Sequence, residues 1–209
     1  AEESDQLSNW LWLPILVIAY LLGSIPFGLL IGKAKGVDVR KAGSGNIGAS
    51  NVMRIVGTPW AVTVLVLDAA KAALPVYIMR WAGYDSAALQ LAAGLCAVFG
   101  HTWSVYLRGK GGRGVASALG MFIALTPTVA LIGFASWVLV VAVTRYISLA
   151  SMLSGAVIVT SMFLLQMPTP YRWGAVALFV LVVYRHIPNI KRLLAGTEHR
   201  FGEKPTARP

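Results

Sequence analysis

Residues 115–143 read VASALGMFIALTPTVALIGFASWVLVVAV and carry no charged side chain. This run is longer than the roughly 20 residues that one membrane helix needs, and Thr126-Pro127-Thr128 lies near its middle. Whether it is one helix or two decides the fold. One helix gives six crossings and puts the basic tail, with Arg185, Lys191, Arg192, Arg200, Lys204 and Arg208, on the side of the acidic start Ala1–Gln6. Two helices give seven crossings, and the tail then joins the other basic connections. Of the 18 Lys and Arg residues, only Arg80 and Arg172 then lie outside and Lys71 within the membrane. The excess of Lys and Arg in cytoplasmic connections therefore selects seven spans. The expected fold is an all-α polytopic integral membrane protein with seven transmembrane helices, some short, an outside N-terminus and a cytoplasmic C-terminus. The two halves of the 115–143 run are shorter than a normal span and need neighbouring helices or a thinned bilayer to cover them.

Composition agrees. The 209 residues are 57% hydrophobic and 12% charged, too apolar for an ordinary water-soluble domain, yet the net charge is +10. In a membrane protein such a surplus reports topology and anionic headgroups before nucleic acid. Trp10, Trp12, Trp60, Trp81, Trp103 and Trp173 fall near predicted span ends, as an interfacial belt does. Cys96 stands alone in an apolar run. Ala1–Gln6 lacks the basic region of a signal peptide and reads either as a processed end or as residues foreign to the natural protein. The whole chain, residues 1–209, reads as one membrane domain: an acidic outer end over 1–9, a helical bundle over 10–187 and a cytoplasmic tail over 188–209.

Other spans follow from apolar runs. Pro14 to Gly32 forms the first, bent by Gly23, Pro26 and Gly28. Pro59 to about Met79 forms the second and contains Asp68 and Lys71. A lone charge near the bilayer centre costs on the order of 3 kcal/mol, so these two are expected to pair across one turn or face a polar interior. Ala87 to about Tyr106, Ser148 to Leu165 and about Trp173 to Tyr184 supply three more.

Two cytoplasmic connections break the apolar pattern. Ala42–Arg54, AGSGNIGASNVMR, combines Gly43, Gly45 and Gly48 with Ser44, Asn46, Ser50, Asn51 and Arg54. Arg108–Gly114, RGKGGRG, sets Arg108, Lys110 and Arg113 among Gly109, Gly111, Gly112 and Gly114. Glycines let backbone N–H groups turn toward one point, while Ser and Asn add donors and Lys and Arg add charge, so each stretch suits an anion. Neither is a Walker sequence, and nucleotide binding is not implied. Taken singly, the first is also a glycine-rich helix cap and the second a flexible basic turn. Together they emerge on one face, as a site for phosphate-bearing substrates requires.

His101, His186 and His199 are the candidate acid–base groups, and none is followed by Asp at the spacing of a His-Asp dyad. Each is expected to position a partner by one hydrogen bond. No Cys and His cluster has metal-ligand spacing, so neither metal nor cofactor is expected.

The chain resembles the bacterial acyl-phosphate-dependent glycerol-3-phosphate acyltransferases over about Ile18 to Phe201. The markers are Gly23-Ser24-Ile25-Pro26, Gly43 through Asn51 with Arg54, Asp68 with Lys71, Gly100-His101 and Lys110 through Ala116. They continue with Arg145-Tyr146, Ser148 and Ser151, and His186 through Glu198. Ser50 replaces a common threonine, Arg113 a common lysine, and Arg108 stands near a position often aromatic or lysine. The resemblance implies acyl transfer from acyl phosphate to the sn-1 hydroxyl of glycerol 3-phosphate, the first step of phospholipid synthesis, giving lysophosphatidic acid and phosphate. It implies a monomer in the bacterial inner membrane, among membrane lipids and without nucleic acid, its active site on the cytoplasmic face.

On this reading Ser44, Gly45, Asn46, Gly48 and Asn51, with Gly43 and Arg54, hold the acyl-phosphate head or the oxyanion beside it. Lys110 and Arg113, with Gly111 and Gly112, hold the phosphate of glycerol 3-phosphate. His186 and Asn189 orient the glycerol hydroxyls and Ser151 adds a donor, while His101 and Glu198 fix loops at the substrate site. The competing reading from another class is a transporter or flippase for a phosphorylated metabolite, which would place its anion site near the midplane.

Overall fold

The computed structural model describes residues 10–203, all in helices, turns and irregular connections, with no strand among the described residues. The expected outer end over 1–9 and the residues from Lys204 onward lie outside the described residues. Backbone contacts divide the chain into two compact units, one ending at Thr126 and the other beginning at Pro127.

The first unit opens with α1 (Trp12–Ser24) and α2 (Phe27–Ala34), interrupted at Ile25-Pro26. Pro26 offers no N–H and pushes Ile25 into an extended conformation, φ −60° and ψ 118°, as a residue before proline requires. Carbonyls freed in an apolar layer need donors. The Ser104 hydroxyl donates to Ser24 O at 2.6 Å, and Lys71 Nζ donates to Ile25 O at 2.8 Å. The connection after α2 leads to α3 (Ala49–Ile55), then α4 (Thr58–Trp81), α5 (Ala87–Thr102), a short 3₁₀ turn at Val105–Leu107, and α6 (Val115–Leu125).

Helix contacts in this unit run through glycines. A Cβ on Gly23 of α1 would collide with the backbone of Ala97 on α5, and one on Gly120 of α6 with the backbone of Ala69 on α4. Small residues of this kind let helices approach closely where lipid removes the usual hydrophobic drive between them. Leu29, Val39, Ile47, Val52 and Val64 form a buried apolar cluster that seats the residues around the first glycine-rich stretch.

The second unit contains α7 (Pro127–Thr144), α8 (Ile147–Leu164), α9 (Thr169–Arg185) and α10 (Ile187–Leu194). The 115–143 run is thus two helices: the Thr126 hydroxyl bonds back to Phe122 O at 3.4 Å, and Pro127 starts the next helix. Gly133 of α7 admits the Ile158 side chain of α8, and Gly155 of α8 lies against Phe179 of α9. Where the sequence suggested only a tail from residue 188, the structure has α10. Pro188 stands in its first turn, where a missing N–H costs nothing.

Trp12–Ala34, Thr58–Trp81, Ala87–Leu107, Pro127–Thr144 and Ile147–Leu164 are long and apolar enough to cross a membrane. The α9–α10 pair, bent by 56°, makes a sixth when counted together, and α6 is a shorter apolar helix of 11 residues.

The glycine contacts give the first test. Gly120→Leu should lower the thermal midpoint of the detergent-solubilised protein, since overpacking costs about 1–3 kcal/mol. Ala70→Leu, on an exposed face of α4 next to the contact, should leave the midpoint nearly unchanged.

Candidate active site

The stretch before α3 is organised by one buried side chain. Asn51, fully buried in α3, accepts the Ser44 N–H through Oδ1 at 2.8 Å. Its Nδ2 donates to Val39 O, Ala42 O and Asn46 O at 2.9, 3.2 and 2.8 Å. Gly43 and Gly45 have φ of 59° and 72°, and a Cβ on Gly43 would collide with Asn51 Oδ1. The turn therefore needs glycine there twice over, for conformation and for room.

This geometry revises what the sequence suggested. Asn51 was expected among the ligand donors, but both ends of its amide are committed to the backbone, so it shapes the loop from behind. The Gly45 N–H is bonded to Ala42 O at 3.1 Å, so it and the Ser44 N–H turn inward. The side chains of anion-binding chemistry on this stretch are Ser44, Asn46 and, one turn beyond Asn51, Arg54, each half-buried.

The second glycine-rich stretch follows the same logic. Lys110 is exposed and Arg113 half-buried. The N–H groups of Gly109, Lys110, Gly111 and Gly112 go to Ser104 O, Leu107 O, Thr102 O and His101 O at 2.9, 3.1, 3.1 and 3.0 Å. These glycines fold the loop onto the end of α5, with Lys110 and Arg113 on either side of Gly111 and Gly112. Beneath them lie Asp68 and Lys71, an ion pair of 2.7 Å between positions three apart on α4, with His101 Nδ1 at 3.5 Å from the same Asp68 oxygen. All three residues are buried. The pairing expected of Asp68 and Lys71 is therefore present, and His101 belongs to it.

In the second unit the organising group is Glu198, buried although charged. Its Oε1 accepts from the Ser148 hydroxyl at 2.7 Å and from Asn189 Nδ2 at 2.6 Å, and its Oε2 accepts from Arg192 Nε at 2.7 Å. Ser148 and Arg192 were not singled out as site residues. The signal for Ser148 was the small-polar stripe it forms with Ser151 and Ser154 along α8, all buried. The tail is fastened further where Arg145 donates to Phe201 O at 3.0 and 2.7 Å. Arg200 Nε meets the Tyr146 hydroxyl at 3.1 Å.

Glu198, expected at the substrate site, thus has its carboxylate occupied by protein donors. The Ser151 hydroxyl likewise donates to Ile147 O at 2.8 Å and faces Trp137 Nε1 at 3.3 Å. His186 and Asn189 keep a chemistry suited to hydroxyls. His186 Nδ1 lies 2.8 Å from Val182 O, a carbonyl that can only accept, so Nδ1 carries a proton. Asn189 Oδ1 is buried without a protein hydrogen bond.

Burial raises the Glu198 carboxyl pKa, but hydrogen bonds from Asn189, Ser148 and Arg192, and the Arg192 charge, outweigh it and hold the group below its ordinary value. A depressed carboxyl stabilises the fold above the ordinary carboxylate range and loses that contribution as pH falls through its folded-state pKa. The thermal midpoint should accordingly drop as pH falls below about 4. Glu198→Gln should lower the midpoint at neutral pH and make the acid-side drop shallower. An unchanged acid limb would show that Glu198 is not the group responsible.

Comparison with known proteins places this architecture. Residues 13–196 match the family described as Glycerol-3-phosphate acyltransferase. The Glycerol-3-phosphate acyltransferase of Aquifex aeolicus (strain VF5) is 44% identical over 188 residues, covering 90% of this chain and 97% of that protein. That of Trichlorobacter lovleyi is 46% identical over 183 residues, covering 88% and 94%. The crystal structure of PlsY (YgiH), an integral membrane glycerol 3-phosphate acyltransferase, in its glycerol 3-phosphate form has a TM-score of 0.88 to this chain. The two are 42% identical, and the match covers 91% of this chain and 96% of that one. The lysophosphatidic acid form gives a TM-score of 0.86 at 41% identity. An all-helical chain with these apolar helices and these two glycine-rich, arginine-bearing stretches belongs to the glycerol-3-phosphate acyltransferase family of integral membrane enzymes.

Proposed function

We propose that the protein transfers a fatty acyl group from acyl phosphate to the sn-1 hydroxyl of glycerol 3-phosphate, yielding lysophosphatidic acid and inorganic phosphate. The hydroxyl oxygen bonds to the acyl carbonyl carbon, the bond from that carbon to the phosphate oxygen breaks, and phosphate leaves. The hydroxyl proton passes to a phosphate oxygen of the substrate. Acyl phosphate is already activated, so orientation and electrostatic stabilisation do most of the work, and no His-Asp dyad is required.

Ser44, Asn46 and Arg54 hold the donor phosphate or the developing oxyanion, in a turn shaped by Gly43, Gly45, Gly48 and Asn51. Lys110 and Arg113 bind the phosphate of glycerol 3-phosphate, on a loop folded by Gly111 and Gly112 over His101. His186 and Asn189 orient the glycerol hydroxyls, with Ser151 and Glu198 keeping their surroundings in place. The reaction belongs to a monomer in the bacterial inner membrane, its N-terminus outside, its C-terminus and active site cytoplasmic, with seven crossings that include the short α6. The observation that carries this reading is the Gly43–Arg54 stretch. It is a turn held by the four hydrogen bonds of Asn51, and it carries hydroxyl, amide and guanidinium side chains suited to an anion in a chain whose relatives are named for acyl transfer to glycerol 3-phosphate.

Purified protein given acyl phosphate and labelled glycerol 3-phosphate should form lysophosphatidic acid. Product from acyl-CoA alone would overturn the donor assignment, and no product would overturn the enzyme reading. Ser44→Ala and Asn46→Ala should each lower kcat on the order of 10²-fold, as loss of one oxyanion donor does. Unchanged turnover would leave this stretch a helix cap.

A further inference from the structure

We infer that Asp68 is a positioning residue for the phosphate-binding loop Arg108–Gly114, acting through His101, and that Lys71 ties the same carboxylate to the break in the first span. The inference rests on the assignment of Lys110 and Arg113 to the phosphate of glycerol 3-phosphate.

A carboxylate in the middle of a spanning helix is costly, and its pair with Lys71 offsets that cost without needing an imidazole. His101 is nonetheless there, buried, with Nδ1 3.5 Å from the Asp68 oxygen that Lys71 also meets at 2.7 Å, a charge contact and not a hydrogen bond, since Nδ1 has no hydrogen-bond partner among the described residues. The other edge of the ring is the floor of the loop. A Cβ on Gly112 would collide with His101 Nε2 and crowd Cε1, while the Gly112 N–H is bonded to the His101 carbonyl at 3.0 Å. Gly112 thus touches His101 through both backbone and ring, and lies between Lys110 and Arg113. The direction of the imidazole, set by Asp68, fixes the height of the loop that carries the two cations. On the other side, Lys71 Nζ reaches Ile25 O at 2.8 Å and lies 5.6 Å from the centre of the Phe27 ring. One carboxylate therefore registers the loop against the helix break. A residue acting in this way affects binding of the phosphate-bearing acceptor more than the chemical step.

The test measures kcat and KM for glycerol 3-phosphate, with acyl phosphate saturating, in His101→Ala, His101→Asn, Asp68→Asn/Lys71→Met and Gly112→Ala. The double variant removes both charges, so no lone buried ion remains. His101→Ala and the double variant should raise KM about tenfold or more while kcat stays within about threefold, the scale expected for losing one orienting interaction. His101→Asn, which keeps a donor for Asp68, should recover part of the loss. Gly112→Ala should raise KM in the unmodified background and do so much less on top of His101→Ala, where the ring it meets is gone. An unchanged KM in folded His101→Ala, a loss confined to kcat, or full additivity of the Gly112→Ala and His101→Ala effects would overturn the inference. If His101→Ala does not fold, the kcat and KM of the double variant decide on the same criteria. Absence of product from the unmodified protein would be a failure of the functional reading, whereas an active enzyme with unchanged KM in these variants overturns the Asp68 assignment alone.

Discussion

Inside an apolar layer a carbonyl released by a broken helix must find a donor, because water is not there to supply one. The break at Ile25-Pro26 finds two, the Ser104 hydroxyl and the Lys71 ammonium. That requirement propagates. Lys71 in the middle of α4 needs an anion, and Asp68 one turn away supplies it. Ser104, just beyond α5, draws the end of that helix onto the first span, which brings His101 and the loop after it to the same place. A kink in one helix thereby dictates which polar residues the rest of the first unit carries within its spans.

In the two glycine-rich stretches, composition suggests an anion for an incomplete reason. Glycine, serine and asparagine suggest a ring of backbone N–H groups facing an anion. Instead the N–H groups of Ser44 and Gly45, and those of Gly109 through Gly112, are bonded to protein atoms. The glycines are required by close approach: Gly43 against the Asn51 amide, Gly112 against the His101 ring. On the proposed reading the phosphate is met by side chains whose charge and planarity suit it, Arg54 and Arg113 among them.

Much of this was legible in the sequence. Apolar runs marked the long helices, Thr126-Pro127 marked the division into α6 and α7, and three-residue spacing marked the Asp68–Lys71 pair. What escaped was set by direction or by distance along the chain. Nothing in the identity of Asn51 says that its amide turns back to four backbone groups. The Ser148–Glu198 hydrogen bond joins residues fifty positions apart, beyond any local pattern. The tail expected over 188–209 begins within α10, whose first turn holds Pro188, where proline starts a helix as readily as it ends one.

The central claim is that side chains of the Gly43–Arg54 stretch, held by Asn51, receive the phosphate of the acyl donor. The most direct measurement is a structure with a non-hydrolysable acyl phosphonate bound. The account predicts phosphonate oxygens within hydrogen-bond distance, about 2.7–3.2 Å, of Ser44 Oγ, the Asn46 side chain and the Arg54 guanidinium, with the Asn51 bonds to the loop intact. A phosphonate held away from these three residues, or one that draws the Asn51 amide out of the loop to bind it, would contradict it.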